Sequence, residues 1–109
     1  KNLNLSKVLT LIGFAYKSRK MVSGEGITLE AIKKNKVKLV FLASDASENT
    51  RKRIKDKCSY RDIPVSEELD RLQIGNAIGK DERVVIGTTD EGFSQSMLKL
   101  LGGGAYAKD

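Results

Sequence analysis

The segment Val37-Lys38-Leu39-Val40-Phe41-Leu42-Ala43 decides the fold, because it is almost uninterrupted in apolar, β-branched and aromatic residues. Such a run is typical of a strand that is covered on both faces. We therefore expect it to lie in the centre of a sheet that has helices on both sides.

The residues before this strand predict a helix, a short strand and a second helix. Apolar residues at helical spacing predict a helix over residues 5–18, with Asn4 as its N-cap. Residues 21–22 predict a strand too short to stand alone. A second helix should follow over residues 26–34, and Asn35 suits the left-handed conformation that ends it.

The residues after the strand predict a basic helix and an edge strand. Asp45 and Glu48 have the spacing of a capping box, so we expect a helix that begins there and continues to Cys58. The Arg and Lys side chains of that helix fit either a solvated face or a nucleic-acid contact. Residues 63–65 read as a short strand, and Pro64 places it at an edge because proline cannot donate to the ladder.

Three further elements complete the pattern. Asp70 and Gln73 repeat the capping-box spacing before a short helix that Gly79 ends. Residues 84–88 predict a buried strand, and Asp90 caps a final helix. The alternation of strands and helices predicts one α/β domain, a three-layer α/β/α sandwich with four strands over residues 1–109. Residues 102–109, which begin with three glycines, are expected to form a flexible tail.

Charge is distributed unevenly along the chain. Residues 1–61 hold fifteen basic and five acidic side chains, a net of +10, whereas residues 62–109 hold five basic and nine acidic side chains, a net of −4. This imbalance favours a polyanionic partner, and nucleic acid is the leading candidate.

Several classes of protein are disfavoured by the residues that are present. No apolar run approaches the roughly 20 residues that a membrane span needs, and residues 1–7 do not resemble a secretory signal, so we expect a cytoplasmic protein. A single cysteine, Cys58, and the lack of histidine leave no disulfide, metal site or ordinary acid–base pair. We expect no cofactor, no metal and no enzymatic activity.

Gly24 and Gly26 open the predicted second helix without completing a nucleotide-binding motif, since no third glycine and no Gly-Lys-Ser/Thr follow. What remains is a helix start with free N–H groups and little side-chain bulk, next to Lys20. We expect folding to group a cationic flank around this helix start, where a nucleic-acid backbone can approach closely.

Six segments resemble, in order, the ribosomal protein L7Ae/L30e superfamily. They are SG at 23–24, AIKK at 31–34, KLVFLASDA at 38–46, IPV at 63–65, IGNAIG at 74–79 and VVIG at 84–87. RKMVSG at 19–24 and TDEGF at 89–93 are similar to the bacterial YlxQ-like branch of that superfamily. The resemblance runs from about residue 5 to residue 98. It implies a mixed sheet and a non-catalytic, ribosome-associated protein that binds RNA kink-turns.

The resemblance also implies an RNA-binding surface. It consists of the start of the second helix, basic residues near and after that helix, and the loop before the last strand. The resemblance places on it Gly24, Glu25, Gly26, Ile27, Lys34, Lys38, Lys80, Asp81, Glu82 and Arg83. Lys20 and Ser23, beside the helix start, complete the candidate site. The expected partners are structured, kink-turn-like RNA, with ribosomal RNA and ribosomal proteins as candidates, and we expect a monomer.

The start of the second helix departs from the family pattern, most importantly at Ile27 and Glu30. Kink-turn binders carry Gly-Thr-Asn-Glu or Gly-Thr-Lys-Gln followed three places later by lysine, whereas this chain has Gly24-Glu25-Gly26-Ile27 and then Glu30. The alternative is therefore a protein-interaction module on the same scaffold with a degenerate RNA site.

Overall fold

Five helices cover a four-stranded sheet in the computed structural model, which describes residues 2–102. The elements are α1 (Asn2–Lys17), β1 (Met21–Ser23), α2 (Glu25–Lys33), β2 (Leu39–Leu42), α3 (Glu48–Tyr60), β3 (Val65–Ser66), α4 (Arg71–Ala77), β4 (Val85–Thr88) and α5 (Glu91–Leu101). The expected flexible tail, residues 102–109, lies outside the described residues except for Gly102.

The sheet is mixed, as the resemblance implies, and its strand order is β1-β4-β2-β3. β2 is an interior strand that pairs antiparallel with β4 and parallel with β3. β1 pairs antiparallel with β4. The short β3 lies at an edge, as Pro64 predicts, and the Pro64 carbonyl accepts the Val40 N–H at 3.0 Å.

Two apolar cores lie on opposite faces of the sheet, which confirms the α/β/α sandwich. Leu39, Phe41 and Ile86 are buried against residues of α1, α4 and α5. Val40 and Val85 are buried against residues of α2 and α3. Adjacent strand residues point to opposite faces, so the continuous apolar run of β2 supplies both cores.

The strand directions give the sheet two different ends. β1, β2 and β3 run the same way and β4 runs the opposite way. The turns 18–20, 34–38 and 61–64, which follow the first three helices, therefore lie together at the end where β4 finishes, and we call this the turn end. Residues 23–27 and 80–83 lie where β4 begins, and we call this the tip end. A four-residue strand separates the two ends by about 13 Å.

Most predicted helix boundaries agree with the structure. The Asp70–Gln73 capping box is formed, with both of its hydrogen bonds present. The Asp90 carboxylate accepts the Phe93 N–H at 2.8 Å. Asn35 has the left-handed φ of 60° that ends a helix.

Two predicted caps are wrong. Asn4 is not the N-cap of α1, because the helix begins at Asn2 and no proline or glycine between these residues stops it. Asp45 does not cap α3, whose N-cap is Ser47. The Asp45 carboxylate instead accepts the Arg71 backbone N–H at 3.1 Å and the Arg71 Nε–H at 3.2 Å. Asp45 thus satisfies the start of α4, a partner distant in sequence.

Candidate nucleic-acid interface

Gly24 opens α2 in a conformation that favours glycine. Its φ is 102°, and no side chain caps the helix at this point. The Gly24 N–H donates to the Val85 carbonyl at 2.9 Å, which fixes the helix start to the beginning of β4. Thr28 is the first residue of α2 whose N–H bonds back to Gly24, at 2.9 Å. The amides of Glu25, Gly26 and Ile27 therefore have no acceptor within the helix.

The space above this helix start is open. No heavy atom lies within 4 Å of the position that a Cβ would occupy at Gly24 or at Gly26. At Gly24 the positive φ explains the glycine. At Gly26 the backbone is helical and nothing in the protein requires the missing side chain. The bare Gly26 leaves room for an external group next to unpaired amides, which is the arrangement that binds anions at helix N-termini.

Arg83 holds the loop 80–83 against the helix start. Its Nε–H donates to Ser23 Oγ at 2.8 Å, and its backbone N–H donates to the Arg71 carbonyl at 3.0 Å. Gly75 allows this close approach, because a Cβ there would lie 2.4 Å from the Glu82 Cα. The loop and the start of α2 thus form one surface at the tip end.

Charges at the tip end are largely balanced by ion pairs within the protein. Glu25 Oε2 accepts the Arg53 Nε–H at 2.6 Å, and Glu25 Oε1 accepts the Thr50 hydroxyl at 3.1 Å. Glu82 lies 3.7 Å from an Arg71 guanidinium nitrogen. Glu25 is therefore held by α3. This pairing brings Arg53, which sequence analysis did not include in the site, next to the start of α2.

Arg71 also connects Asp45 to these ion pairs. Desolvation alone would raise the pKa of Asp45, but the hydrogen bonds and charge of Arg71 outweigh it and keep this pKa below its ordinary value. The carboxylate therefore stays ionised and continues to hold the first residue of α4, whose carbonyl in turn holds Arg83.

Ile27 and Glu30 occupy the outer face of α2 beside these groups. Ile27 is 62% exposed and is one of four exposed large hydrophobic residues in the part of the chain that the structure describes. Glu30 is also exposed, about one turn further along the helix. Where the resemblance implies polar and basic side chains, this surface therefore carries an apolar group and an acid.

Lys20, Lys34 and Lys38 do not join the tip end. The Lys20 carbonyl accepts the Thr89 N–H at 2.9 Å, and the Lys38 N–H donates to the Thr88 carbonyl at 2.7 Å. Both lysines therefore flank the finish of β4, at the turn end. Lys34 is the C-cap of α2, and a nine-residue helix is about 13 Å long. The expectation of one cationic flank around the helix start is wrong, because α2 carries the chain from one end of the sheet to the other.

Other chemistry is limited in the part of the chain that the structure describes. Burial raises the pKa of the Cys58 thiol to about 12, so it is not a thiolate near neutral pH. No group of three or more carboxylate or cysteine side chains in residues 4–102 could hold a metal ion. None of the described helices is long and apolar enough to cross a membrane.

A family model and two proteins of known name are similar to most of this chain. The model of the Ribosomal protein L7Ae/L30e/S12e/Gadd45 family matches residues 6–98. The RNA-binding protein YlxQ of Bacillus subtilis (strain 168) is 43% identical over 91 residues, which cover 84% of this chain and 91% of that protein. The RNA-binding protein YlxQ of Enterococcus faecium is 42% identical over 100 residues, covering 92% and 96%.

Two solved structures are similar throughout. A Bacillus halodurans C protein described as of unknown function has a TM-score of 0.82 at 45% identity, covering 87% of this chain and 96% of that one. The Giardia lamblia 15.5kD RNA binding protein has a TM-score of 0.78 at 17% identity, covering 94% and 86%. The second likeness shows that the fold persists where little sequence identity remains.

Proposed function

The chain belongs to the Ribosomal protein L7Ae/L30e/S12e/Gadd45 family and to its bacterial YlxQ-like branch, and on this basis we propose that it binds structured RNA without catalysis. The observation that carries this proposal is the start of α2, where three unpaired amides lie beside an open space at Gly26. Two relatives with more than 40% identity are named RNA-binding proteins.

The finer proposal is that the RNA is a kink-turn. A kinked RNA presents the groove edges of sheared G·A pairs together with closely spaced phosphates. A protein can therefore recognise its shape and phosphates without base-specific side-chain contacts. The amides of Glu25, Gly26 and Ile27 would donate to this groove, and the loop 80–83 would support the flanking strand. Because Ile27 and Glu30 replace polar and basic residues of the family pattern, recognition relies on backbone donors and shape.

The same proposal extends to the cellular setting. Several members of the family are ribosomal proteins by name. We propose that the protein acts as a monomer in the cytoplasm, on ribosomal RNA or alongside ribosomal proteins. Crosslinking in cells followed by sequencing of the bound RNA tests this part, and recovery of RNA without ribosomal sequences would refute it.

A binding comparison tests the kink-turn proposal. The protein is titrated with a kink-turn RNA and with a plain duplex of equal length, and we expect tighter, saturable binding to the kink-turn. The variant Gly26→Leu fills the open space and should reduce this preference at least tenfold, which is the effect of about 1.4 kcal/mol. Gly92→Leu, at the exposed second residue of α5, is the control for an added side chain. A Cβ at Gly92 would lie 3.2 Å from Asp90 Oδ2, so thermal unfolding first checks that this control keeps its stability. Equal affinity of the unmodified protein for both RNAs would refute kink-turn recognition.

The alternative function, a protein-interaction module, is favoured by the exposed Ile27 beside Glu30. An exposed apolar group beside an acidic side chain suits a protein partner. Purification from cells separates the two functions. A 260 nm absorbance that RNase removes supports RNA binding, whereas a stoichiometric protein that remains after RNase treatment supports the alternative.

A further inference from the structure

Each of the three turns at the turn end carries basic side chains. Arg19 and Lys20 lie in the first turn, Lys34, Lys36 and Lys38 in the second, and Arg61 in the third. Five of these side chains are exposed and Arg61 is half-buried. The chain folds so that bases from three separate sequence segments meet at one end of the sheet.

Most of these bases are not neutralised by the protein. Arg51 and Lys55 pair with Glu67, and Arg53 and Arg71 pair with acids at the tip end. At the turn end Lys20 lies 3.9 Å from Asp90. Among the ion pairs of the described residues, none involves Lys34, Lys36 or Lys38. The turn end thus carries these six basic side chains together with two acids, Asp62 in the third turn and Asp90 beside Lys20.

Helix stabilisation does not account for these lysines. Cations stabilise the carboxyl end of a helix only within about its last turn. Lys20 and Lys36 follow the last residues of α1 and α2 by three positions, and Lys38 follows α2 by five. Lys36 and Lys38 are consequently available to an external anion, while Lys20 lies 3.9 Å from Asp90.

The spacing of the bases fits a row of phosphates better than a single anion. Lys20 directly precedes β1 and Lys38 directly precedes β2. Because β4 lies between these two strands, the backbones of the two lysines are about 10 Å apart. A pocket of about 250 Å³ lies between the second and third turns, and its lining includes Asn35, Lys38 and Arg61 as well as the acid Asp62. The Arg61 guanidinium is 5.4 Å from the centre of the exposed Tyr60 ring. Charge is thus spread along an edge that several phosphates can follow.

We infer that the turn end is a second phosphate-binding surface, which holds the backbone of an RNA duplex independently of its sequence. This inference rests on the proposed binding of RNA but assigns it a surface separate from the tip end. One surface recognises the kink and the other anchors a helical segment. Lys20, Lys34 and Lys38, which sequence analysis assigned to the kink-binding face, belong to the second surface.

The test removes two charges from the turn end and compares the result with the same loss elsewhere. The variant is Lys36→Gln/Lys38→Gln, and the control is Lys7→Gln/Lys99→Gln, which changes exposed lysines of α1 and α5. Fluorescence anisotropy measures binding to a plain RNA duplex of about 16 base pairs, the length that a double-stranded RNA domain spans, over a range of salt. Each lost phosphate contact lowers the slope of log K against log salt by about 0.9.

We expect the turn-end variant to lower this slope by about 1.8 units. Between about 50 and 200 mM salt, its affinity should then fall about twelvefold less than that of the unmodified protein. The control should keep the original slope. Equal slopes for the variant and its control would overturn the inference, as would a loss confined to anionic lipid vesicles with duplex binding unchanged. Circular dichroism melting checks that both variants remain folded.

The kink-turn preference separates this result from the proposed function. Lys36→Gln/Lys38→Gln should weaken binding to kink-turn RNA and to duplex by the same factor, so that their ratio is unchanged. Gly26→Leu should lower that ratio and leave duplex binding intact. If the unmodified protein does not prefer kink-turn RNA, kink recognition fails while the slope comparison still decides whether the turn end binds duplex.

Discussion

At the scale of single residues, the fold does not require a glycine at position 26, whereas it does at position 24. A Cβ at this position would meet no atom of the protein, and the residue is helical, so Gly26→Ala should stabilise the protein by about 0.5–1 kcal/mol through higher helix propensity. Gly24→Ala should destabilise it, because φ at Gly24 is 102°. Urea unfolding of both variants measures these changes. Stabilisation of the protein by Gly24→Ala, or destabilisation by Gly26→Ala, would contradict this account of the helix start.

Gly75 controls the position of the loop at the tip end. A Cβ there would lie 2.4 Å from the Glu82 Cα, so Gly75→Ala must displace the loop 80–83, at a cost of about 1–3 kcal/mol. Because this loop borders the start of α2, the variant should also lose part of its preference for kink-turn RNA. Thermal unfolding and RNA titration measure the two effects.

Gly13→Ala is the control for crowding by an added methyl group. Its Cβ would lie 3.1 Å from the Ala77 carbonyl, between α1 and α4, away from the RNA surface that we propose. It should leave the kink-turn preference unaltered, whether crowding or the gain in helix propensity decides its stability. If Gly75→Ala also leaves this preference unaltered, the loop has no part in recognition.

At the scale of elements, Asp45 links the segment after β2 to the start of α4. Its folded-state pKa is lowered by Arg71, so ionised Asp45 stabilises the fold above the unfolded pKa of about 3.9. That stabilisation is lost as the pH falls through the folded-state pKa. Asp45→Asn should therefore be less stable than the unmodified protein at neutral pH, and the difference should shrink below about pH 4.

Urea unfolding across this pH range measures the effect. Asp81→Asn is a suitable control, since Asp81 is an exposed acid that forms no ion pair among the described residues. A constant difference between Asp45→Asn and the unmodified protein at all pH values would mean that the charge of Asp45 does not act through Arg71.

Asp45 also shows which element boundaries could be predicted from sequence. Asp70, Asp90 and Asn35 act on backbone within a few residues of themselves, and all three were predicted correctly. Asp45 has the same local spacing to Glu48, but its partner Arg71 is 26 residues away. A capping motif in the sequence shows which bonds are available locally, and tertiary contacts decide which of them form.

At the scale of the whole molecule, strand order decides where the candidate site residues lie. The alternation of elements predicted the layers and the buried β2, because burial on two faces leaves a pattern in one segment. The order β1-β4-β2-β3 leaves no such pattern, since it depends on which strands pair. Without it, Lys20, Lys34 and Lys38 could not be assigned to the end opposite Gly24, although each was recognised as a basic side chain near α2.

The separation of the two ends predicts how their contributions combine. Changes more than about 7–10 Å apart without shared partners usually add to within about 0.5 kcal/mol. A four-residue strand and the length of α2 both exceed that distance, at about 13 Å. The triple variant Gly26→Leu/Lys36→Gln/Lys38→Gln should therefore lose binding free energy for kink-turn RNA equal to the sum of its parts. Titrations of the parent, the two component variants and the triple variant at one salt concentration measure this. A combined loss clearly smaller than the sum would mean that both sets of residues serve a single surface, and the assignment of two separate RNA contacts would fail.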